Sequence, residues 1–312
     1  MLADISKTLG KSFFLGAFLP AVFLVLNAAG VIVLSTNGEV ITEQIGLTLI
    51  AALCLAGAFL VAIIYWSLNI WVVRFYEGYL VADWQFITRR LQSRREKIYK
   101  EIAGLKAKLR TQPSHRDRLR LTDLQVKAEV EFPPTDAELL PSKLGNIIRA
   151  FEYYPATRYS IESITLWPRL RAVMPADRLD AINTEKSLMD FWLNFSLALL
   201  TSSLFWAIAV WYRETALWPF SVLVFIGGST LWYLAYRAAI PSAIAWGYEV
   251  RSAFDLYRSD LLHKLGFQRP ASLPEEKALW DKIFWFFAYE EYAKRQGQLG
   301  SGWPDENKGE EP

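Results

Sequence analysis

Histidine and cysteine are scarce in this chain, which has two histidines and one cysteine among 312 residues. The single cysteine, Cys54, excludes an intrachain disulfide and any zinc site built on several thiolates. His115 falls in a polar turn and His263 on an amphipathic segment, and neither has a second histidine or cysteine at ligand spacing. We therefore predict no metal site and no cofactor.

Catalytic motifs are also missing. The sequence has no HExxH, no Walker-type phosphate loop, no GxSxG and no glycine-rich dinucleotide fingerprint after a strand. Gly227 and Gly228, in "FIGGST", lie within an apolar run, where close helix packing accounts for them better than phosphate binding. We predict that the protein is not an enzyme and has no catalytic residue.

Charge is absent from the centre of four apolar runs, at residues 12–35, 46–73, 190–211 and 218–240. Each is long enough to cross a bilayer core of about 30 Å, which needs about 20 helical residues. Because lipid offers no hydrogen bonds to the backbone, such runs must be helical. The first is also too long for the apolar part of a signal peptide. The sequence thus predicts an all-α integral membrane protein with four transmembrane helices.

The charges between the runs predict the orientation. The link between the first two, "TNGEVITEQ", carries two acids and no base, whereas residues 74–120 hold 13 Lys+Arg against 5 Asp+Glu. By the positive-inside rule the basic segment is cytoplasmic, and so are both termini.

Proline is absent between Pro20 and Pro113, so a helix could continue from the second run into the basic segment. Apolar residues then recur at helical spacing, and the string "RTQPSHRD" interrupts them. These residues are Ile87, Leu91, Ile98, Ile102, Leu105 and Leu109. We predict a basic stalk hairpin that solvent and anionic lipid headgroups surround. Nucleic-acid binding is not expected, because bases and acids interleave without a binding motif.

The predicted organisation follows from these patterns. Residues 1–73 hold transmembrane helices 1 and 2, 74–187 a cytoplasmic helical domain, and 188–240 transmembrane helices 3 and 4. Residues 241–296 form cytoplasmic C-terminal helices, and the Gly-, Pro- and acid-rich tail at 297–312 is disordered. Within the aromatic block after "EFPPTDAELLP" we expect helices at 142–152 and 160–173. Pro168 should kink or end the second. We expect the third run to be entered from, and the fourth run to continue into, an amphipathic cytoplasmic helix, with Pro241 the only breaker before Pro270.

The second run ends in "NIWVVRFYEGYL", residues 69–80, which changes from apolar to charged before its first turn residue, Gly78. Gly78 is the predicted hinge. Cys54, Ala58 and Ala62 recur every four residues and predict a face for close helix packing. The candidates for a pore lining or gate are Val61, Ile64, Leu68, Asn69, Arg74 and Glu77. Alternatively, Arg74 and Glu77 form an ordinary ion pair at the membrane interface.

Acids and bases are also missing deep within the runs, where only Asn27 and Asn194 are polar amides, and no internal repeat is visible. An ion-coupled transporter normally has a deep ionisable group, so we place that interpretation third. The leading hypothesis is a homo-oligomeric ion channel or pore gated through its cytoplasmic helical domain. The alternative is a non-conducting scaffold, or a signalling or phage-defence component, that recruits a cytoplasmic partner.

Three strings carry a resemblance: "RFYEGY", "LPSKLGNIIRAFEYYPATRYSIESITLWPRL" and "AFDLYRSDLLHKLGFQRPASLPEEKALW". They resemble segments of an uncharacterised family of bacterial multi-span inner-membrane proteins. The resemblance implies a multi-pass protein of the bacterial inner (plasma) membrane. No activity is attached to that family, so it implies no site residue.

Overall fold

The computed structural model describes residues 10–35, 46–81 and 85–288, and within these ranges every regular element is helical. The all-helical prediction is confirmed for this part of the chain. The acidic link at 36–44 and the tail at 297–312, for which we predict disorder, lie outside the described residues.

The described part of the chain contains twelve α-helices. In chain order they are α1 (Lys11–Phe13), α2 (Leu19–Ser35), α3 (Leu47–Ser67), α4 (Asn69–Glu77), α5 (Gln85–Thr111), α6 (His115–Glu131), α7 (Lys143–Glu152), α8 (Tyr154–Tyr159), α9 (Ser163–Arg171), α10 (Ala176–Arg213), α11 (Trp218–Lys264) and α12 (Leu273–Ala288). A π-helical segment, Phe14–Phe18, joins α1 to α2. Short 3-10 turns occupy Tyr79–Val81, Asp136–Glu138 and Thr215–Leu217.

Four helices are long and apolar enough to cross a membrane, as predicted: Lys11–Val33, Leu47–Ser67, Ala176–Arg213 and Thr215–Lys264. The last two extend well beyond the apolar runs that predicted them. Pro241 lies inside α11, in keeping with the continuity expected at the exit of the fourth run, and Pro168 lies inside α9 and does not end it. A proline removes one backbone hydrogen bond, and the remaining bonds of each helix are enough to carry it past that position.

The described residues form two compact units. The first contains residues up to 81 together with 183–246, and the second contains residues from 85 to 182 together with 247–288. Each unit is therefore built from two separate parts of the chain, and both α10 and α11 contribute residues to each.

In the first unit, small residues allow the first two spans to pack closely. Ala17 and Ala21 are buried against Ala62 and Tyr65 of α3. The third and fourth spans approach closely at Gly228, where a Cβ atom would lie 2.0 Å from Ser203 Cβ. Gly228 thus has the packing role predicted for the glycine pair, whereas a Cβ on Gly227 would meet nothing within 4 Å.

In the second unit, α5 and α6 form the predicted hairpin. Their buried residues form one cluster with the segment that follows: Ile98, Ile102, Leu124, Ala128, Phe132 and Leu139. Ion pairs join the two helices, including Lys108 to Asp117 at 2.7 Å and Arg120 to Glu101 at 3.0 Å. Part of the positive charge of the basic segment is therefore neutralised within the hairpin.

The aromatic block forms three short helices, α7 to α9, where we expect two. The Ser142 side chain accepts a hydrogen bond from Gly145 N at 2.9 Å and begins α7. Ser160 ends α8 with φ of 61°, in the left-handed region. Glu162 then caps α9 by accepting from the N–H groups of Ile164 and Thr165. The third helix, α8, lies between the two expected helices, and the left-handed residue and the following cap separate it from α9.

Candidate functional site

Helix α3 places the predicted packing residues and the predicted gate residues in different surroundings. Ala58 is 2% exposed and Ala62 is fully buried, while Cys54 is half-buried. Ile64, in contrast, is exposed, because it lies about 100° to 160° around the helix from the buried residues. At Ala58 and Ala62 the face that carries the small residues is therefore occupied by packing within the first unit, and the face that carries Ile64 is uncovered in a single chain.

The second run is divided at Leu68. This residue has φ of −95° and ψ of 8°, and it separates α3 from α4. Its N–H donates to Ile64 O at 2.9 Å, and its own carbonyl accepts from Trp71 N at 2.9 Å and Val72 N at 3.1 Å. The backbone thus remains hydrogen-bonded through the break. We expected one helix over 46–73, so the structure corrects that expectation and places the interruption at one of the predicted gate residues.

Gly78, the predicted hinge, is the residue at which α4 ends. Its φ of 95° lies in the left-handed region that favours glycine, and its N–H donates to Phe75 O at 3.1 Å. A side chain at this position would be strained, so the turn between α4 and the next 3-10 segment depends on glycine.

The six gate candidates do not share one face of the structure. Val61 and Asn69 are half-buried, and the buried Oδ1 of Asn69 has no hydrogen-bond partner among the described residues. Arg74 is exposed and its guanidinium lies 5.7 Å from the centre of the Trp71 ring. Glu77 is buried, at 8% exposure. Ile64, Leu68 and Arg74 are therefore the candidates that remain accessible.

Tyr76, in α4, is the centre of a buried polar contact that no sequence pattern predicts. Its hydroxyl lies 2.5 Å from Ser196 Oγ, and Trp232 Nε1 donates to it at 3.0 Å. The Tyr236 ring stacks on the Tyr76 ring at 5.7 Å, with an angle of 15° between the planes. These contacts tie α4 to α10 and α11 inside the first unit. The partners are 120 and 156 residues distant in sequence, so no local pattern indicates them.

The two asparagines predicted at depth also join helices of the first unit. Asn194 Nδ2 donates to Gly16 O at 2.7 Å. Trp206 Nε1 donates to Asn27 Oδ1 at 3.2 Å, while Asn27 Nδ2 donates to Phe23 O within its own helix. Side-chain amides at such depth are typical of interhelical hydrogen bonds in membrane proteins.

In the second unit, two tyrosine hydroxyls share one carboxylate. Tyr154 donates to Asp255 at 3.1 Å and Tyr159 donates to the same group at 2.6 Å. Burial, with a further contribution from the Asp255 charge, raises the pKa of Tyr154 to about 12 and also raises the pKa of Tyr159. Both phenols therefore stay protonated as donors at neutral pH. This contact fixes α8 against α11 and offers no activated nucleophile.

Within the described ranges, no group of three or more His, Cys, Asp or Glu side chains is placed to hold a metal ion. Comparison of the chain with protein-family models, with curated proteins and with solved structures finds no match.

Proposed function

We propose that the protein is an ion channel or pore of the bacterial inner membrane, built as a homo-oligomer and gated through its cytoplasmic helices. In this proposal the four long apolar helices span the membrane, and both termini are cytoplasmic. The basic charge of residues 74–120 supports that orientation.

The observation that carries the proposal is the uncovered apolar face of α3 and the break at Leu68. Leu60, Ile64 and Leu68 are 63%, 53% and 48% exposed in the single chain, and Leu60 and Ile64 lie on the side of α3 away from the buried alanines. In a ring of subunits this face would line an axis, and apolar constrictions close ion paths by dewetting. The break supplies an element that can change its geometry when α4 moves.

Ion flux through liposomes tests this function. We expect purified protein to conduct, and we expect Leu68→Ser to increase the flux about tenfold or more, because a hydroxyl helps water to occupy the constriction. Leu55→Ser is the matched control, since Leu55 is an equally apolar, exposed residue about 180° around α3 from Ile64. Sealed wild-type liposomes, equal effects of the two serines, or a monomeric protein would each contradict the proposal.

A second candidate function is a non-conducting scaffold, or a signalling or phage-defence component, that recruits a cytoplasmic partner. The observation that favours it is the hairpin surface, where Lys97, Lys106 and Arg110 are exposed. The same surface would contact anionic headgroups. Sealed liposomes, together with a stoichiometric partner complex that is lost when these three residues are changed to glutamate, would support this function.

A further inference from the structure

Two buried side chains of α10 carry oxygen atoms that no donor reaches within the described part of the chain. Asp190 is 7% exposed and Asn194 is 1% exposed, and the Oδ1 atom of each is buried without a hydrogen-bond partner. The residues are four positions apart, so their side chains lie one above the other on the same face of the helix. This face of α10 therefore presents two neighbouring oxygen acceptors inside the first unit.

Both side chains approach the same turn of the first span. Asn194 Nδ2 donates to Gly16 O at 2.7 Å, and Asp190 Cβ lies 3.4 Å from the position that a Cβ on Gly16 would occupy. Because Nδ2 is held by a carbonyl, rotating the amide would set two acceptors against each other. The orientation of Asn194 is thus fixed, and its Oδ1 remains an acceptor.

The turn that meets these side chains is the π-helical segment Phe14–Phe18. A π-helical turn displaces carbonyl groups from the regular hydrogen-bond ladder, and such turns are frequent at functional sites. In this segment the Gly16 carbonyl accepts from a side chain of another helix. The first span therefore places a π-helical turn, and one of its carbonyl groups, where α10 contributes side-chain oxygen.

Lys186 is the hydrogen-bond partner of one carboxylate oxygen of Asp190, and the other carboxylate oxygen has none within the described part of the chain. Its Nζ atom donates to Asp190 Oδ2 at 2.6 Å, from one turn earlier on α10, and its side chain is 38% exposed. The ammonium group pairs with the carboxylate from the exposed side and leaves Oδ1 without a partner. What would satisfy Oδ1 of Asp190 and Oδ1 of Asn194 together is a small cation or another donor.

We propose that Asp190 and Asn194, with the π-helical turn of the first span, bind a monovalent alkali cation such as Na⁺. Carboxylate, amide and irregular backbone oxygens are the hard ligands that hold Na⁺ within broken transmembrane helices. A single carboxylate that is already paired with an ammonium group is a poor ligand set for Ca²⁺, which takes about six to eight oxygens. Bound cation would join the first span to the third and stabilise the first unit.

Thermal unfolding of the detergent-solubilised full chain tests the site, with LiCl, NaCl, KCl or choline chloride at constant ionic strength. We expect an alkali chloride to raise the unfolding temperature above that in choline chloride, saturably and on the order of 2–4 °C. Asp190→Asn should abolish this shift. Asp180→Asn, which changes an exposed acid of the same helix, should retain it.

Hydrogen exchange of the wild-type protein keeps the test decisive if Asp190→Asn does not fold. Alkali cation should then slow exchange in the segments around residues 13–18 and 187–197, and choline should not. Equal unfolding temperatures in all four chlorides, a shift that persists in Asp190→Asn, or stabilisation by divalent cations alone would overturn the proposal. These measurements detect binding and not flux, so their outcome is independent of whether the protein conducts.

Discussion

Because α10 and α11 approach closely at Gly228, we predict that alanine at this position destabilises the protein. In Gly228→Ala the new Cβ would lie 2.0 Å from Ser203 Cβ and 3.3 Å from Ser203 Cα. Carbon atoms pack best at about 3.5–4.0 Å, so the two helices must separate locally by about 1.5–2 Å. The obstructing atom is next to the backbone, so a rotamer change cannot relieve the clash.

The expected magnitude comes from overpacking in a closely packed interface. Such substitutions typically destabilise by about 1–3 kcal/mol. Alanine also has a higher helix propensity than glycine, by about 0.8–1.0 kcal/mol in water, and this gain opposes the clash. The matched variant Gly227→Ala shares the gain and meets no atom within 4 Å. The difference between the two variants therefore isolates the clash, and we expect Gly228→Ala to be the less stable by about 1–3 kcal/mol.

Reversible unfolding in mixed SDS and dodecyl maltoside micelles, followed by tryptophan fluorescence, measures this difference. The double variant Ser203→Gly/Gly228→Ala removes the obstructing Cβ. A double-mutant cycle should therefore show that the double variant loses less stability than the sum of the losses in the two single variants. Equal stability of Gly227→Ala and Gly228→Ala, or a cycle without coupling, would refute the proposed contact between the third and fourth spans.

Three further predictions test other parts of the structure. Tyr76→Phe should lower the free energy of unfolding by about 1–3 kcal/mol, because it leaves Trp232 Nε1 without its acceptor and removes the hydrogen bond to the buried Ser196. Tyr212→Phe, at 86% exposure, should have no effect in the same micelle assay. Ile98→Ala should destabilise the hairpin core by about 2–5 kcal/mol and the exposed Leu119→Ala much less, as measured by hydrogen exchange in α5 and α6. Burial and a neighbouring carboxylate raise the pKa of Tyr154 from 10.0 to about 12, so the folded protein keeps this proton up to a higher pH than the unfolded chain does. Stability should therefore fall as pH rises from about 10 to about 12, and denaturation series should show a smaller fall for Tyr154→Phe.

Sequence reasoning predicts those features of the fold that a single segment determines by itself. A run of about 20 apolar residues can only be helical in lipid, so the helical class and the four long apolar helices could be predicted. The sequence also indicates the packed face of α3, because Ala58 and Ala62 are small and one turn apart. The hairpin followed from the spacing of residues such as Ile98 and Ile102 around a polar break.

The remaining features depend on contacts between distant segments. Leu68 is neither glycine nor proline, so nothing local marks the break between α3 and α4. The π-helical turn at Phe14–Phe18 likewise has no sequence signal that we recognise. Pro241 is a helix breaker in the sequence, but α11 continues through it, because a 47-residue helix loses only one hydrogen bond there. Asp190, at the margin of its apolar run, became a candidate only when the structure showed that it is buried.

The discontinuous first unit has a consequence for biosynthesis. Tyr76 pairs with Ser196, 120 residues later, and Gly16 pairs with Asn194, 178 residues later. At about 5–20 residues per second, a ribosome needs roughly 6–24 s to make the chain between Tyr76 and its partner. Ala17 and Ala62 belong to spans that emerge close together, so the first two spans can pair before the third exists. Each newly made chain thus passes through a stage lasting seconds in which the first two long apolar helices exist without the third, and the Tyr76 hydroxyl and the Gly16 carbonyl have not yet met their partners.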